Sequence, residues 1–265
     1  MDWIHQIEEA YEVYGHVSTC PFIFTCEHAS NRIPPPLTST KSDEPYLQTH
    51  WAWDIGTKAL CKELVRRTNS VAVMARFSRL VCDANRHRDR PDVILPVIEN
   101  YELSFNKYID EAEVVRRIEL YHETFHRGLH QLVLERSQNN QPVLLISMHS
   151  FTPIWDMKIR TMDVGILFDH LTPIAAQMQK LFMEEDVFVA MNEPYSGQFG
   201  LMYSAERHGR HHDIRHIELE FNQSQLCTEA HVQKMADKME RVLGKLDILS
   251  SPLPSEYRDQ LLHYV

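Results

Sequence analysis

The sequence predicts a three-layer α/β/α fold in which helices cover both faces of a mostly parallel central sheet. Short apolar runs rich in β-branched residues alternate along the chain with longer segments of helical periodicity. Strands that are separated by helices favour a parallel sheet packed between two helical layers. The pattern continues without an internal repeat or a low-complexity segment, so we expect a single domain over residues 1–265.

The apolar runs predict six strands, at residues 21–28, 70–80, 142–149, 163–169, 187–191 and 215–221. Helical periodicity predicts four helices, at residues 53–67, 108–136, 173–185 and 229–246. Sheets of this kind carry their binding sites at the carboxyl ends of the strands. The polar residues that close each predicted strand are therefore the first candidates for a functional site.

Composition and charge narrow the class of protein. The chain has 265 residues, enough for a sizeable core, and lacks the run of roughly 20 apolar residues that a membrane span needs. A net charge of −10 disfavours nucleic acid as a partner, because phosphate binding needs a basic face. The five cysteines form no CxxC pair, and the N-terminus does not resemble a signal peptide. We therefore expect a cytoplasmic protein with reduced thiols.

Two histidines lie where predicted strands end, and a carboxylate opens the helix that follows the first strand. His28 closes the first strand, and His149 ends the apolar run LLISM. A lone histidine at such a position is as often a core-edge residue, but two of them beside acids favour a metal site. Asp54 is either the N-cap of its helix or an oxygen ligand. Two histidines and a carboxylate, with water in the fourth position, form a catalytic zinc shell.

Two acids on the last predicted strand indicate a group for proton transfer. A period of two places Glu218 and Glu220 on the same face of the strand HIELEFN. Buried carboxylates are costly without a partner or a role, and a general base beside a metal-activated water has such a role. The alternative is an edge strand whose polar face is solvated.

Arginines are concentrated in one segment of this acidic chain. Four of them fall within twelve residues: Arg79, Arg86, Arg88 and Arg90. Planar guanidinium groups bind carboxylates through two parallel hydrogen bonds. We assign Arg79 and Arg86 to a site, whereas Arg88 and Arg90 are equally explained as surface charges balanced by neighbouring aspartates.

Eight short stretches occur in order between residues 20 and 225: CEHASNRIP, WDIG, SRLVCDANR, YHETFHRGL, ISMHSFTP, VGILFD, NEPYSG and IELEFNQ. In this order they resemble the N-formylglutamate amidohydrolase family, which is similar to zinc carboxypeptidases and related deacylases. The resemblance implies a phosphorylase/hydrolase-like α/β/α fold. It also implies a metal-dependent hydrolase that cleaves the N-acyl amide of a small acidic amino acid, such as N-formylglutamate. A non-catalytic or differently specific member of the fold is the alternative.

The resemblance also implies roles for individual residues. The SMHS stretch is similar to the carboxypeptidase strand that delivers a zinc histidine, here His149. The DANR stretch is similar to the pair that holds a substrate carboxylate, here Asn85 and Arg86. The stretch that begins at Glu220 is similar to the one that supplies the base, although Asn222 stands where an arginine is expected.

The carboxypeptidase pattern His-x-x-Glu is not met, because Asn31 stands at the glutamate position after His28. The carboxylate ligand must then come from elsewhere, and Asp54 is the first choice with Glu27 in reserve. We therefore expect one Zn²⁺ per chain, held by His28, Asp54 and His149.

The expected reaction is metal-assisted hydrolysis of an amide bond. Glu220, or else Glu218, takes the proton from water and passes it to the leaving amine, and Arg79 helps to stabilise the oxyanion. Five residues are expected to bind the substrate: Asn31, Asn85, Arg86, Ser150 and Tyr195. The partner is a small acidic N-acyl amino acid rather than a nucleic acid or a membrane.

A rival motif lies in the longest predicted helix. His122, Glu123 and His126 form a literal H-E-x-x-H, which on a helix places two histidines on one face with a glutamate between them. This motif favours a zincin-type protease. Against that function, Leu129 stands where the metzincin extension requires glycine, and the alternation of strands and helices differs from that fold. Chance histidines on a helix are the preferred interpretation, with His126 close to the pocket.

Overall fold

An eight-stranded mixed sheet forms the centre of the molecule. The structure, a computed structural model, describes residues 3–16, 20–137, 142–197 and 201–250. Its strands are β1 (Trp3–Ile7), β2 (Tyr11–His16), β3 (Phe22–Cys26), β4 (Val71–Ala75), β5 (Val97–Ile98), β6 (Tyr101–Glu102), β7 (Leu144–Phe151), β8 (Ile154–Trp155), β9 (Lys158–Ile159), β10 (Val164–Leu167), β11 (Val189–Met191) and β12 (Arg215–Asn222). The order in the main sheet is β1-β2-β4-β3-β7-β12-β10-β11, and β5–β6 and β8–β9 form separate two-stranded ribbons.

The pairing of the strands brings several carboxyl ends to one edge of the sheet. Strands β4, β3, β7 and β12 are neighbours that pair in parallel, whereas β2 and β10 run antiparallel on either side of them. Strand β12 lies between β7 and β10, and all eight of its residues are buried. The alternative of a solvated edge strand for Glu218 and Glu220 is therefore wrong.

Helices form the two outer layers: α1 (Glu44–Leu47), α2 (Thr57–Thr68), α3 (Glu111–Arg117), α4 (Thr124–Ser137), α5 (Thr172–Glu184), α6 (Tyr203–His211) and α7 (Glu229–Lys245). On one face, α2, α5 and α7 bury side chains such as Leu64 and Met239 against β3 and β7. On the other face, α4 buries Phe125 and Leu129 against β4 and β7, and α6 packs on β12. This arrangement confirms the predicted α/β fold with a mixed, mostly parallel sheet.

Several parts of the fold were not predicted from the sequence: the hairpin β1–β2, the ribbons β5–β6 and β8–β9, the short helix α1, and helix α6. The hairpin β1–β2 lacks a continuous apolar run, because β1 is largely exposed at the end of the sheet. Helix α6 has the sequence YSAERHGRH, whose buried face is formed by small and polar residues instead of an apolar stripe. The long predicted helix is continuous but irregular, since a π-helical segment (Ile118–Glu123) joins α3 to α4. The H-E-x-x-H motif therefore spans a junction between two helix types.

The cysteines make no covalent cross-link in this fold. None of the five forms a disulfide. Burial raises the pKa of Cys26 to about 12, so this thiol stays protonated and packs as a small apolar group.

None of the helices that the structure describes is long and apolar enough to cross a membrane.

A buried carboxylate joins the antiparallel end of the sheet to α2. Glu12 on β2 is 4% exposed, and its oxygens pair with Lys58, with Lys62 at 3.2 Å and with His5 at 3.1 Å. Burial by itself would raise the pKa of Glu12, but the hydrogen bond and positive charge of Lys58, with help from the other two partners, lower the pKa to about 2. The carboxylate is therefore ionised in the folded protein.

We expect Glu12→Gln to lower the free energy of unfolding by about 2 kcal/mol near neutral pH, because the two lysines lose a buried counter-charge. A carboxyl group with a depressed folded pKa contributes fully above its unfolded pKa of 4.5, and the contribution falls as the pH drops toward about 2. Urea unfolding of both proteins between about pH 7 and pH 3 measures the difference, which should shrink below pH 4.5.

The matched control is Glu9→Gln, because Glu9 forms an exposed pair with Arg32. This change should alter stability by less than about 0.5 kcal/mol at any of these pH values. A stability difference for Glu12→Gln that stays constant down to about pH 3 would show that the ionised carboxylate is not its source.

Candidate active site

A cavity of about 310 Å³ lies at the edge of the sheet where the parallel strands end. His28 follows β3, His149 lies near the end of β7, and Glu218 and Glu220 lie on β12. In register, Glu220 is directly beside His149. The segment after β4 and the segment before α2 supply the remaining charged groups of the wall. The cavity is lined by His28, His50, Trp51, Asp54, Arg79, Leu80, Asp83, Asn85, Arg86, Asp92, Leu95, His149, Ser150, Phe151, Thr152, Trp155, Tyr195, Leu201, Glu218 and Glu220.

The carboxylate of Asp54 lies between the two histidine rings. Its Oδ2 is 2.8 Å from Nδ1 of His149 and 3.4 Å from Nδ1 of His28. The backbone fixes this position, since the amide of Asp54 donates to the carbonyl of His28 at 2.9 Å and the amide of Ser150 donates to Oδ2 at 3.2 Å. Gly56, not Asp54, is the N-cap residue of α2. The N-cap alternative for Asp54 is therefore wrong.

The outer nitrogen of each histidine contacts a second carboxylate. Nε2 of His28 is 2.7 Å from Oδ1 of Asp83, and Nε2 of His149 is 3.1 Å from Oε2 of Glu27. Histidines that bind a metal ion commonly donate their other ring N–H to a carboxylate in this way, which fixes the tautomer and turns the free nitrogen toward the metal. Asp83 and Glu27 thus orient the two rings.

The inner atoms of this group fit a metal ion. One possible ligand atom from each of His28, Asp54 and His149 lies within 4.8 Å of the other two, and all three residues are buried. Nδ1 of His28 has no hydrogen-bond partner within the described parts of the chain. A buried lone pair without a donor is costly unless an ion satisfies it. The group can therefore hold a metal ion, and the two nitrogens and one oxygen suit a divalent transition metal.

Glu27, the reserve ligand, has a different set of partners. It is fully buried and accepts hydrogen bonds from the hydroxyls of Thr25 and Ser147, each at 2.8 Å. Burial by itself would raise the pKa of Glu27, but the hydrogen bonds and the positive charge of His149 lower it to about 2. Its side chain does not belong to the described lining of the cavity. These contacts favour Asp54 as the carboxylate ligand.

Negative charge is concentrated at this edge of the sheet. Glu27, Asp54, Asp83, Glu218 and Glu220 are all at least 95% buried. Burial raises the pKa of Glu218 to about 7, and burial followed by the charge of Glu218 raises the pKa of Glu220 well above its ordinary value. Burial therefore disfavours the ionised form of both acids of β12, while the neighbouring carboxylates add to the negative charge of the site. A bound divalent cation would offset this negative charge.

The two acids of β12, Glu218 and Glu220, differ in their hydrogen-bond partners. Oε2 of Glu218 accepts a hydrogen bond from the amide of Asn85 at 3.2 Å and lies 3.5 Å from Nε2 of His149. Oε2 of Glu220 is buried without a hydrogen-bond partner among the described residues. Both side chains line the cavity. Glu220 therefore offers a free carboxyl oxygen to a bound molecule, whereas Glu218 is held in place.

Of the four arginines between residues 79 and 90, two line the cavity and two lie outside it. Arg79 donates to Oδ2 of Asp83 through Nε at 3.1 Å and through a terminal nitrogen at 2.7 Å. Arg86 is paired more loosely with Asp92, at 3.4 Å, and both line the cavity. The other two side chains, Arg88 and Arg90, are among the more exposed arginines and form ion pairs at the surface. Arg86 thus has the weaker intramolecular partner of the two cavity arginines.

The structure brings four of the five predicted substrate-binding residues to the cavity wall: Asn85, Arg86, Ser150 and Tyr195. The amide of Asn85 is engaged on both sides, since its oxygen accepts from the backbone of Ser204 at 3.0 Å. Asn31 does not belong to the described lining, and its side chain donates to the carbonyl of Leu47 at 2.9 Å.

The H-E-x-x-H motif forms local contacts. Nε2 of His122 lies 2.8 Å from the carbonyl of Arg86, and Glu123 pairs with Arg88 and Arg207 at 3.3 and 3.1 Å. Within the described ranges, neither His122 nor His126 belongs to a cluster of three possible metal ligands. The motif is therefore a set of structural contacts in this fold.

Sequence reasoning missed several residues of the cavity. Asp83, the first residue of the DANR stretch, has no predicted role in the site, yet it contacts His28 at 2.7 Å and orients its ring. Trp51, His50 and Trp155 form an aromatic part of the wall, with ring centroids 4.9 to 5.9 Å apart. The aromatic cluster carries no motif, because only the fold brings Trp155 beside the adjacent pair His50 and Trp51.

Comparison with known structures gives the same architecture. The gene product Atu2144 from Agrobacterium tumefaciens superimposes with a TM-score of 0.83 and 27% identity, covering 92% of this chain and 96% of the other. N-formylglutamate amidohydrolase from Ralstonia eutropha JMP134 superimposes with a TM-score of 0.70 and 16% identity, covering 90% of this chain and 98% of the other. A comparison with curated protein sequences gave no match.

The sequence also matches a family model. The model for N-formylglutamate amidohydrolase aligns with residues 20–227, the same part of the chain that carries the eight stretches quoted above. This range holds every residue that lines the cavity. The chain therefore belongs to the N-formylglutamate amidohydrolase family.

Proposed function

We propose that this chain is a metal-dependent amidohydrolase that cleaves the N-acyl amide of a small acidic amino acid, with N-formylglutamate as the first candidate substrate. The observation that carries the proposal is the buried group of His28, Asp54 and His149 at the floor of a closed-in cavity. A cavity of about 310 Å³ suits a small molecule and is too small for a folded polypeptide. Family membership supplies the class of reaction.

Zinc is the proposed metal, held by His28, Asp54 and His149. When bound, it would supply Lewis acidity, which makes water nucleophilic near neutral pH and polarises the amide carbonyl. Asp83 and Glu27 keep the two imidazoles in the required tautomers through their Nε2 contacts. The enzyme needs no rearrangement of these side chains during the reaction.

Glu220 is proposed to transfer the proton. Its side chain lines the cavity beside His149, and its Oε2 has no hydrogen-bond partner among the described residues, so the carboxyl group can accept a proton from the attacking water and deliver it to the leaving amine. Glu218 is proposed as a positioning residue, because Asn85 and His149 already hold its carboxyl group. Both acids lie on one face of β12, which keeps their separation fixed.

The arginines are proposed to bind the charges of substrate and transition state. Arg79 lies 3.8 Å from Asp54, close enough to the metal group to help stabilise an oxyanion. Arg86, with only a loose partner at 3.4 Å, can exchange Asp92 for a substrate carboxylate. This local positive charge offsets the long-range repulsion between an acidic substrate and an acidic protein.

The first prediction concerns the metal. A chelator should abolish hydrolysis of N-formyl-L-glutamate, and added Zn²⁺ should restore it. His149→Ala should lower kcat/KM by roughly a thousandfold or more, because the several kcal/mol of Lewis-acid stabilisation is lost. Release of formate and glutamate measures both effects. His122→Ala is the matched control and should keep the activity, and loss of activity there instead would favour the H-E-x-x-H motif as the site.

The second prediction concerns the proton transfer. Glu220→Gln should lower kcat by about a hundredfold or more while leaving bound metal and thermal stability unchanged, since the amide cannot accept the proton. Steady-state kinetics and metal analysis on the same preparation check this result. Glu218→Gln is the comparison on the same face of β12 and should have the smaller effect on kcat. The reverse order would place the base two residues earlier.

The third prediction concerns the substrate carboxylate. Arg86→Lys should raise KM for N-formyl-L-glutamate by about tenfold, because lysine cannot form the two parallel hydrogen bonds of a guanidinium group. Arg88→Lys, at the exposed pair with Glu123, is the matched control and should leave KM unchanged. The α-amide of the substrate should be a poor substrate of the wild-type enzyme. Equal rates on the free acid and the amide would remove the carboxylate-binding role of Arg86.

A further inference from the structure

A second cluster of histidines lies between α4 and α6, outside the lining of the active-site cavity. His130 belongs to α4, His208 to α6, and His212 is the C-cap residue of α6. One possible ligand nitrogen from each of the three lies within 4.8 Å of the other two. Two of the three, His130 and His208, line a separate cavity of about 140 Å³. We call these three residues the α4–α6 histidine cluster.

The spacing of the cluster matches the geometry of a metal site. His208 and His212 are four residues apart, so they project from the same face of α6. Nδ1 of His130 is 3.1 Å from Nε2 of His212. Two imidazole nitrogens bound to one tetrahedral zinc at 2.0–2.1 Å lie about 3.3 Å apart. The two helices therefore already hold these rings near the separation that a shared ion requires.

A chain of hydrogen bonds fixes the tautomer of His208. Nε2 of His126 lies 3.0 Å from the carbonyl of Ala84, which can only accept, so the proton of His126 is on Nε2. Nδ1 of His126 must then accept from Nε2 of His208, at 3.0 Å. The free lone pair of His208 is left on Nδ1. This support of one histidine by a second polar group is the arrangement found around metal ligands.

The charged groups around the cluster also bear on metal binding, because a ligand histidine must be neutral. Arg127 and Arg207 line the cavity beside the cluster, and Glu123 pairs with Arg207 at 3.1 Å. Nδ1 of His130 and Nε2 of His212 share a hydrogen bond in the metal-free protein, so an ion that binds between them displaces one proton.

We infer that the α4–α6 histidine cluster is a second, structural metal site of this chain, which binds one divalent transition-metal ion such as Zn²⁺. Three imidazole ligands without a carboxylate suit zinc, nickel or copper and disfavour Mg²⁺ and Ca²⁺, which need oxygen ligands. The neighbouring cavity leaves space for water as the fourth ligand.

An ion at this position would join α4 to α6. The first turn of α6 contains Ser204, whose backbone amide donates to the side chain of Asn85 in the active site. Asn85 in turn holds Glu218. The second site is therefore connected to the catalytic wall through the position of α6, although it contributes no residue to that wall.

Zn²⁺ titration of metal-free, untagged protein by isothermal calorimetry tests the inference. The test uses His149→Ala, in which the first site is disabled, so that only the second site remains. This variant should bind one Zn²⁺ per chain. Adding His212→Ala or His130→Ala should weaken that binding by at least about a hundredfold, since each removes one of three ligands. His211→Ala, which changes a histidine beside the cluster, is the matched control and should preserve it.

Circular dichroism and thermal unfolding of the metal-free variants check that each one folds. Zn²⁺ should raise the Tm of His149→Ala, and the shift should disappear in the variants that lack His130 or His212. Unchanged Zn²⁺ affinity in both folded variants, or no binding to His149→Ala, would overturn the second site. Wild-type protein that binds one Zn²⁺ with the same affinity as His149→Ala would count against the first site and leave the second intact.

Discussion

The contact of Asp54 with His28 and His149 ties together three distant parts of the chain. Each histidine projects from the end of a parallel strand, and the carboxylate reaches them from the turn before α2. The backbone hydrogen bond between Asp54 and His28 makes the turn and the strand end one rigid unit. The position of α2, and with it one face of the core, therefore depends on the same residues that form the metal group.

The surplus of buried acid explains why this edge of the sheet is built for a cation. Five carboxyl groups with few balancing charges are unfavourable in a low-dielectric interior unless an ion or a proton compensates them. Hydroxyl groups donate hydrogen bonds to Glu27, and Arg79 donates to Asp83. In contrast, Oε2 of Glu220 has no hydrogen-bond partner among the described residues. Glu220 is therefore available for proton transfer, whereas hydrogen bonds hold Glu27 and Asp83 in place.

The two groups of possible metal ligands differ in composition. The active-site group combines imidazoles with carboxylates, whereas the α4–α6 histidine cluster contains imidazoles alone. His126 of the H-E-x-x-H motif supports His208 instead of binding a metal itself. In the sequence, the H-E-x-x-H motif indicates a protease. In this fold, its histidines form hydrogen bonds with a loop and with the neighbouring helix α6.

The sequence by itself determined the α/β class and indicated His28, His149 and the acids of the last strand as candidate site residues, whereas the interior position of that strand and the place of Asp54 between the histidines came from the structure. The class and the candidate residues follow from periodicity and from polar residues at strand ends, which are local properties of the chain. Only the tertiary structure decided that Asp83 and Glu27 support the histidines, and that Asn31 turns away from the cavity. The sequence also did not predict helix α6 or the aromatic part of the cavity wall. Their side chains acquire partners only when distant segments fold together, and no local pattern encodes contacts of that kind.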